Sequence, residues 1–292
     1  MKNLALLLFS LLFAFNAHTQ EILGCTDPQA NNYNEFATIN DGSCTYNPTI
    51  YNPSFRFLLP QEVEETSGLI LFNDGYWTHN DSGGQPIIYK LDTLTGEVIQ
   101  RIKLSGRTNI DWEDIAQDET KIYIGDFGNN NGNRDNLAIY IIEKTDIPME
   151  GDTEVSSQKI SFVYEDYIIA PKKKKNNNFD CEAMIAVDGD LYLFSKNRGD
   201  NQSKLYKLPN TEGDYTAQLL TTFNSAGLVT GADYNEISNE LILIGYTNNS
   251  WNPFIWLMFD FEGLDYFSGN KRRIDMISIP ATQTEGICYT HG

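Results

Sequence analysis

A short motif recurs five times along the chain, and each copy places acidic or small residues just before an apolar run. The copies are TSGLI (66–70), DWEDIA (111–116), DCEAMI (180–185), TGADY (230–234) and TEGI (284–287). After four of them a second apolar run follows and ends in polar residues, in HNDSGG, GDFGNN, SKNRGD and YTNNS. A unit repeated at this spacing is typical of sheets arranged around an axis, so the sequence predicts a β-propeller.

Composition and patterning predict an all-β fold. Sixteen Tyr and sixteen Phe accompany few helical runs, and Gly-, Asn- and Asp-containing turns divide each of the first four repeats into four strands. Runs such as FIWLMFDF (254–261) are apolar at both odd and even positions, which indicates strands covered on both faces, as between neighbouring blades. A β-sandwich would show cleaner alternation. We therefore expect about five four-stranded blades.

The last blade is incomplete in this sequence. TEGICYTHG (284–292) supplies only its innermost strand, and SFRFLLP (54–60) could return as its outer strand. Either the sequence is truncated at its C-terminus, which we favour, or the ring is open and its edge needs another form of protection. Closure of the ring is left undecided at this stage.

The first nineteen residues are typical of a secretory signal peptide, with a basic start at Lys2 and an apolar stretch over 4–15. A lipidation box at 22–25 is the alternative, but polar residues separate it from the apolar stretch. No later segment reaches the ~18 consecutive apolar residues of a transmembrane helix. The sequence predicts a protein that is secreted or held at the cell surface, with the periplasm as a further location.

The net charge of −19 excludes nucleic acid and anionic lipid as partners, because both would be repelled. An acidic surface suits cations. Solubility outside the cell is the alternative explanation for the same charge.

Two cysteines, Cys25 and Cys44, bracket a segment rich in Asp, Asn and Gly. In an oxidising compartment we expect them to pair, and closing so short a loop stabilises a fold by roughly 3 kcal/mol. NPTIYNPS (47–54) carries two prolines and is typical of a semi-rigid linker. The predicted organisation is a signal peptide over 1–19, a small repeat over 20–46, a linker over 47–54 and a propeller domain over 55–292.

The segment 24–46 resembles the thrombospondin type 3-like repeats of secreted bacterial proteins, and this resemblance implies calcium binding. Its candidate oxygen donors are Asp27, Asn34, Asn40 and Asp41, with Gly42 supplying the turn. Asx-rich turns also form with local hydrogen bonds alone, so a purely structural role is the alternative.

In a propeller the starts of the innermost strands and the ends of the second strands lie at one end of the central channel. Alignment of the repeats puts Glu113, Glu182 and Glu285 in equivalent places, and Asp81, Asp126 and Asn197 at second-strand ends. Like charges that converge need a counter-ion, and Ca²⁺ suits a set of oxygen donors. The alternatives are that each Glu caps the backbone of the adjoining blade, or that the acids are catalytic.

Catalysis has few candidates in this sequence. His79 is the one histidine in the interior of the mature chain, which excludes a zinc site built on several imidazoles. His79, Glu113 and Glu182 are the candidate catalytic residues, although a lone histidine is more often a packing residue. No G-x-S-x-G, P-loop or H-E-x-x-H motif occurs.

Basic residues also lie near the expected channel end. Arg134 and Lys196 could receive an anionic ligand, but pairing with the carboxylates is the simpler explanation. The run PKKKKNNN (171–178) could form a flap over the same opening, although such runs are usually solvated loops. Cys181 and Cys288 are expected to be unpaired, since their strands are not adjacent in the ring.

The motifs SGL, HNDSGG, DWEDIA, GDFGNN, EAM, TGAD and EGI together resemble an uncharacterised family of secreted bacterial β-propeller proteins, distantly similar to phytase-like esterase-type propellers. The resemblance covers residues 65–288. It implies a propeller and the following residues facing the channel opening: Asp81, Glu113, Asp126, Arg134, Glu182, Lys196, Asp233 and Glu285.

Three functional hypotheses follow from the sequence. The first is a secreted or cell-surface propeller that binds a cation and a ligand, whether small molecule, glycan or protein, at its channel mouth. The second is a metal-dependent ester or phosphoester hydrolase of phytase-like or lactonase-like type, in which the ion activates water. The third is a non-catalytic display or adhesion module. Neither the identity of the ligand nor the oligomeric state can be predicted from the sequence.

Overall fold

The computed structural model of the protein describes residues 20–168 and 176–290. The predicted signal peptide and the lysines of the basic run lie outside the described residues. Within them the fold is all-β, and its helical content is limited to two single 3₁₀ turns, Gln61–Val63 and Lys144–Asp146. None of the described helices has the length and apolar character needed to span a bilayer.

The repeats form four-stranded antiparallel sheets that confirm the β-propeller. The blades are β4–β7, then β8–β10 with β12, then β13–β16, and finally β17–β20. The strands, numbered along the chain, are β1 (Leu23–Gly24), β2 (Ile39–Asn40), β3 (Thr49–Ile50), β4 (Thr66–Phe72), β5 (Gly75–Asn80), β6 (Ile87–Asp92), β7 (Val98–Leu104), β8 (Trp112–Gln117), β9 (Lys121–Asp126), β10 (Ala138–Glu143), β11 (Thr153–Val155), β12 (Gln158–Tyr164), β13 (Cys181–Val187), β14 (Asp190–Ser195), β15 (Ser203–Pro209), β16 (Gly213–Phe223), β17 (Leu228–Asn235), β18 (Glu240–Tyr246), β19 (Pro253–Phe259) and β20 (Asn270–Asp275).

The hydrophobic core lies between the blades. Trp77 and Ile102 of the first blade pack with Trp112 and Ile124 of the second, and similar clusters join the second blade to the third and the third to the fourth. Every residue of β13 is buried, as expected for a strand covered on both faces. Burial of a large apolar side chain of this strand, such as Met184 or Ile185, stabilises the fold by about 1.5–3 kcal/mol.

Neighbouring blades are also joined at their outer edges. Strand β12 pairs in parallel with β16, which fuses the second and third blades into an eight-stranded sheet. Strand β11 pairs with β7, and β3 pairs with β20. These pairings cover the outer edges of the blades, which would otherwise be templates for association with other strands.

The segment 284–289 occupies the fifth ring position, between β17 and β4. The hydroxyl of Thr230 donates to the Thr284 carbonyl, and the Tyr289 amide donates to Asp233 Oδ2 over 2.7 Å. On its other side Gly286 is so close to β4 that an added Cβ would come within 3.0 Å of Leu69 Cβ. The ring therefore closes at its innermost layer.

The stretch 54–60 does not form the outer strand of a fifth blade, so that expectation was wrong. It has no strand pairing and packs on the first blade, where Leu59 joins Val63, Tyr89 and Leu91 in a cluster. Leu59 therefore covers part of the first blade, whereas Phe55 and Leu58 of the same stretch are exposed.

The N-terminal segment is closed by the predicted disulfide between Cys25 and Cys44. It rests against the fourth blade, where the Asn40 amide donates to Asn270 Oδ1 over 3.0 Å and to the Asp260 carbonyl over 3.2 Å. Because β3 lies in the predicted linker and pairs with β20, the connection is anchored to the same blade.

Asp233 gives ring closure a dependence on pH. Burial raises the pKa of Asp233 to about 6, although hydrogen bonds from the Tyr289 and Tyr234 amides oppose the shift. An acid whose pKa is raised by folding adds stability below its unfolded pKa, and this contribution is lost as the pH rises through 6. Asp233→Asn keeps one of the two acceptor oxygens and cannot ionise, so its loss of one hydrogen bond is independent of pH. The free energy of unfolding of Asp233→Asn minus that of wild type should increase by on the order of 1–2 kcal/mol between pH 5 and pH 8, measured by urea unfolding.

The matched control is Asp214→Asn, which makes the same change at an exposed position on β16, away from the ring closure. A pH-independent difference for Asp233→Asn would show that the carboxyl at the closure does not carry the shifted titration.

Candidate functional site

A β-bulge interrupts each innermost strand at the recurring motif. The register shifts lie between Ser67 and Ile70, Trp112 and Asp114, Cys181 and Ala183, and Val229 and Gly231. In β8 the extra residue is Glu113, and in β13 it is Glu182. A bulge bends the strand and turns the extra side chain away from the regular alternation. The motif therefore encodes the local distortion that directs these two glutamates to one place.

Residues at or near the bulges link the blades. Asp114 Oδ2 accepts a hydrogen bond of 2.7 Å from the Met184 amide of the third blade. Asp233 makes the equivalent contact to Tyr289, and the Ser67 hydroxyl donates to the Glu113 carbonyl. The capping considered for the glutamates in the sequence is thus performed by aspartates and hydroxyls beside them, and the carboxylates of Glu113 and Glu182 take no part in these contacts.

Five carboxylates gather at this end of the channel, in two groups that share Glu113. The first group contains Asp81, Asp111 and Glu113, and the second contains Glu113, Asp180 and Glu182. Within each group, one oxygen of every residue lies within 4.8 Å of the others. Oxygens at such separations can contact a single cation together.

Two bases pair with two of the three acids of the second group, Asp180 and Glu182. Lys196 forms an ion pair with Glu182, and Arg198 pairs with Asp180 while its other nitrogen lies 3.7 Å from Glu182 Oε1. Burial alone would lower the pKa of Lys196, but Glu182 and then Glu285 more than offset burial and raise it. Lys196 is therefore a fixed positive charge inside the channel end.

Glu113 has no comparable partner. Its side chain is only 4% exposed, and no donor or base among the residues described forms a hydrogen bond or ion pair with its carboxylate. Burial and then the charge of Glu182 raise its pKa well above the usual range. A buried carboxylate without a donor is costly, so this group is the least satisfied charge of the cluster.

A glycine makes room for this convergence. A Cβ at Gly128 would lie 2.1 Å from Glu113 Oε1 and 2.6 Å from Asp111 Oδ2. The loop that carries Gly128 is braced by Arg134, whose Nη1 donates to the Gly128 carbonyl over 2.7 Å and whose Nη2 pairs with Asp126 Oδ1 over 2.9 Å. Asp126 and Arg134 therefore support the loop, and their charges are directed at each other.

The remaining channel candidates are spread along the axis. Glu285 lies outside both carboxylate groups, and burial raises its pKa to about 7 beside Lys196. Asn197 is fully buried and accepts from the Ser195 hydroxyl. Asp233 lies at the opposite end, where it lines a separate cavity of about 370 Å³ with Gln117, Tyr234 and Tyr289.

His79 occupies a packing position. It is fully buried, and its ring meets that of Trp112 edge-on with centroids 5.5 Å apart. Burial lowers its pKa to about 4, so the imidazole is neutral at pH 7. A neutral ring enclosed between two blades favours the packing role over that of a general base.

In the N-terminal segment, each predicted calcium donor accepts a local backbone hydrogen bond two residues ahead. The acceptors are Asp27, Asn34, Asn40 and Asp41, and the distances are 2.8–3.1 Å. Four Asx turns of this kind account for these residues without an ion. Calcium in this segment stays a prediction.

Sequence reasoning missed Asp111, Asp180 and Arg198. A signal for the two aspartates was available, because D-x-E occurs in both DWE (111–113) and DCE (180–182). Arg198 gave no such signal, since nothing in SKNRGD distinguishes it from a solvated loop residue.

Fold and site together define a β-propeller with five ring positions and an acidic channel end. No protein-family model and no curated protein matches the chain, so the particular family suggested by its motifs is not confirmed.

Solved structures similar to this chain cover varied proteins at low identity. An exo-β-1,3-galactanase from Phanerochaete chrysosporium shares 10% identity at a TM-score of 0.42, over 85% of this chain and 52% of that one. A quinonprotein alcohol dehydrogenase-like protein from Bacteroides thetaiotaomicron shares 13% identity at a TM-score of 0.37, over 71% of this chain and 45% of that one. Hydrazine synthase from Kuenenia stuttgartiensis shares 10% identity at a TM-score of 0.36, over 69% of this chain and 47% of that one. This chain spans about half the length of each, and similarities of this size carry no information on activity.

The unsatisfied charge of Glu113 predicts an unusual stabilising substitution. Because folding raises its pKa, its contribution to stability is present below the unfolded pKa and is lost as the pH rises. In chelator at pH 8, Glu113→Gln should therefore have a higher free energy of unfolding than wild type, measured by urea unfolding. The same change at the exposed Glu97 should have no effect, and a destabilised Glu113→Gln would contradict the assignment of unsatisfied charge.

Proposed function

We propose that this protein binds a divalent cation at the acidic end of its channel, with Ca²⁺ the best fit, and recruits an extracellular ligand through that ion. The single observation that carries the proposal is the buried Glu113 carboxylate, which has no donor among the described residues and lies in contact range of neighbouring carboxylates.

The charge balance supports a cation. Carboxylates within a few ångströms of one another cannot all ionise without compensation, and burial removes the water that would otherwise screen them. Lys196 and Arg198 form ion pairs with two of the five acids, Glu182 and Asp180. Arg134 forms an ion pair with Asp126, which is not one of the five. The remaining negative charge is what a divalent ion would neutralise.

The donor set favours Ca²⁺ over softer metals. Both carboxylate groups contain only oxygen ligands, with no histidine or cysteine among them. Hard cations prefer such oxygens, and Ca²⁺ accepts the irregular arrangement that a loop and a bulge provide more readily than Mg²⁺ does. Zinc would call for nitrogen or sulfur ligands.

The net charge of the site after the cation has bound indicates which class of ligand it can accept. Three carboxylates and one divalent ion leave the site net negative, and the whole chain carries −19. An anionic ligand would be repelled, whereas neutral hydroxyls can fill the coordination positions that Ca²⁺ keeps open. We therefore favour a polyhydroxy ligand such as a glycan over a phosphate.

One observation favours a second candidate, the metal-dependent hydrolase. A carboxyl whose pKa lies well above its usual range, as at Glu113, can serve as a general acid beside an ion that activates water. A display module without any ion is the third possibility. The disulfide is compatible with an oxidising extracellular location for each of them, and secretion itself is part of the proposal.

Calcium should bind and stabilise the folded protein through Glu113. Addition of Ca²⁺ to chelated wild type should raise the thermal midpoint, since a ligand at about 100 times its Kd adds about 2.7 kcal/mol. Glu113→Gln should lose that response while remaining folded by circular dichroism, and isothermal titration should show the same loss. An equal calcium response in both proteins would refute the channel site and leave the N-terminal segment as the source.

The hydrolase candidate is tested on the same preparations. Chromogenic ester, lactone and phosphate substrates should show no turnover with or without Ca²⁺ if binding is the function. Turnover that vanishes with chelator and in Glu113→Gln would instead establish the hydrolase.

A further inference from the structure

We propose that the ion occupies only the Asp81–Asp111–Glu113 group, and that Lys196 and Arg198 are internal counter-ions that take the place of a second ion between Asp180 and Glu182. The proposal rests on cation binding at Glu113 and deepens it, because it assigns the ligands of the ion. The proposed ligands all come from the first two blades, whereas the repeats predicted a site formed by Glu113, Glu182 and Glu285.

Apart from the shared Glu113, the acids of the second group are already charge-balanced. Asp180 and Glu182 each have an ion pair, with Arg198 and Lys196 respectively. Asp180 Oδ1 also accepts the Asn129 amide over 2.6 Å. A cation placed here would have to displace or repel two fixed positive charges.

The first group has no such compensation. The base near Asp111 is Arg134, at 3.9 Å, and its donors are directed to Asp126 and to the Gly128 carbonyl. Asp81 receives one local hydrogen bond, from the Ser82 amide. Glu113 receives none from the described part of the chain. Three carboxylates therefore face one another with little positive charge among them.

Access separates the two groups as well. Asp180 is 0% and Glu182 is 2% exposed, whereas Asp81 and Asp111 are only partly buried. An ion that enters from solvent meets Asp81 and Asp111 first and has Glu113 beneath it. The space left by Gly128 lies between Asp111 and Glu113, where a side chain would block their approach.

The shared Glu113 makes the assignment testable by comparison of variants. Removal of an ion ligand should weaken Ca²⁺ binding about tenfold or more, because ligand charge sets calcium affinity. We therefore expect Asp111→Asn and Asp81→Asn to lose binding in isothermal titration at pH 7.5. The double variant Lys196→Met/Glu182→Gln removes a buried pair without leaving a lone charge, and should bind one ion within about threefold of wild type.

The matched control is Lys207→Met/Asp190→Asn, which removes a lysine–aspartate pair of 2.7 Å at the surface. Circular dichroism checks that each variant folds. If one of the two aspartate variants does not fold, the other still tests the ligand assignment. Loss of binding in Lys196→Met/Glu182→Gln, with binding kept in Asp111→Asn and Asp81→Asn, would overturn the assignment.

Glu113→Gln distinguishes this inference from the function on which it rests. Because Glu113 belongs to both groups, its substitution removes channel binding wherever the ion lies. An unchanged titration for Glu113→Gln would refute cation binding in the channel altogether. A lost titration there, with the aspartate variants unaffected, would refute only the placement of the ion.

Discussion

Acidic side chains that meet in a buried place need positive charge, and this requirement governs the channel end of the propeller. The bulges in β8 and β13 bring Glu113 and Glu182 inward, and the D-x-E spacing adds Asp111 and Asp180. Lys196 and Arg198 satisfy one side of the cluster. The other side is left with Glu113, whose burial without a donor makes it the residue on which cation binding is proposed to depend.

Architecture and site were predictable from the sequence to different degrees. The repeats and the strands that are apolar on both faces predicted the blades, because both are local patterns. The disulfide was predicted because Cys25 and Cys44 bracket one short segment of a chain expected in an oxidising compartment. The placement of SFRFLLP (54–60) was wrong, since Leu59 packs on Tyr89 and Leu91 of the first blade, and a local apolar pattern does not show which blade such a stretch will contact.

The composition of the cluster was harder to predict, because ion pairing depends on which side chains meet across blades. Alignment of repeats identified the glutamates but could not show that Arg198 and Lys196 would neutralise one pair. Nor could it show that Asp233 would join the ring closure at the opposite end. Sequence equivalence fixes the position of a residue along a strand, whereas charge balance is a property of the assembled channel.

The pairing of the segment 284–289 with the first and fourth blades joins parts of the chain more than 200 residues apart in sequence. Contacts of such long range form late in folding, because the entropy of closing the intervening loop must be overcome first. The blades can therefore assemble one beside another as an open arc before the last position is filled. On this view the crowded carboxylates acquire their final electrostatic neighbours, including Glu285, only in the closing step.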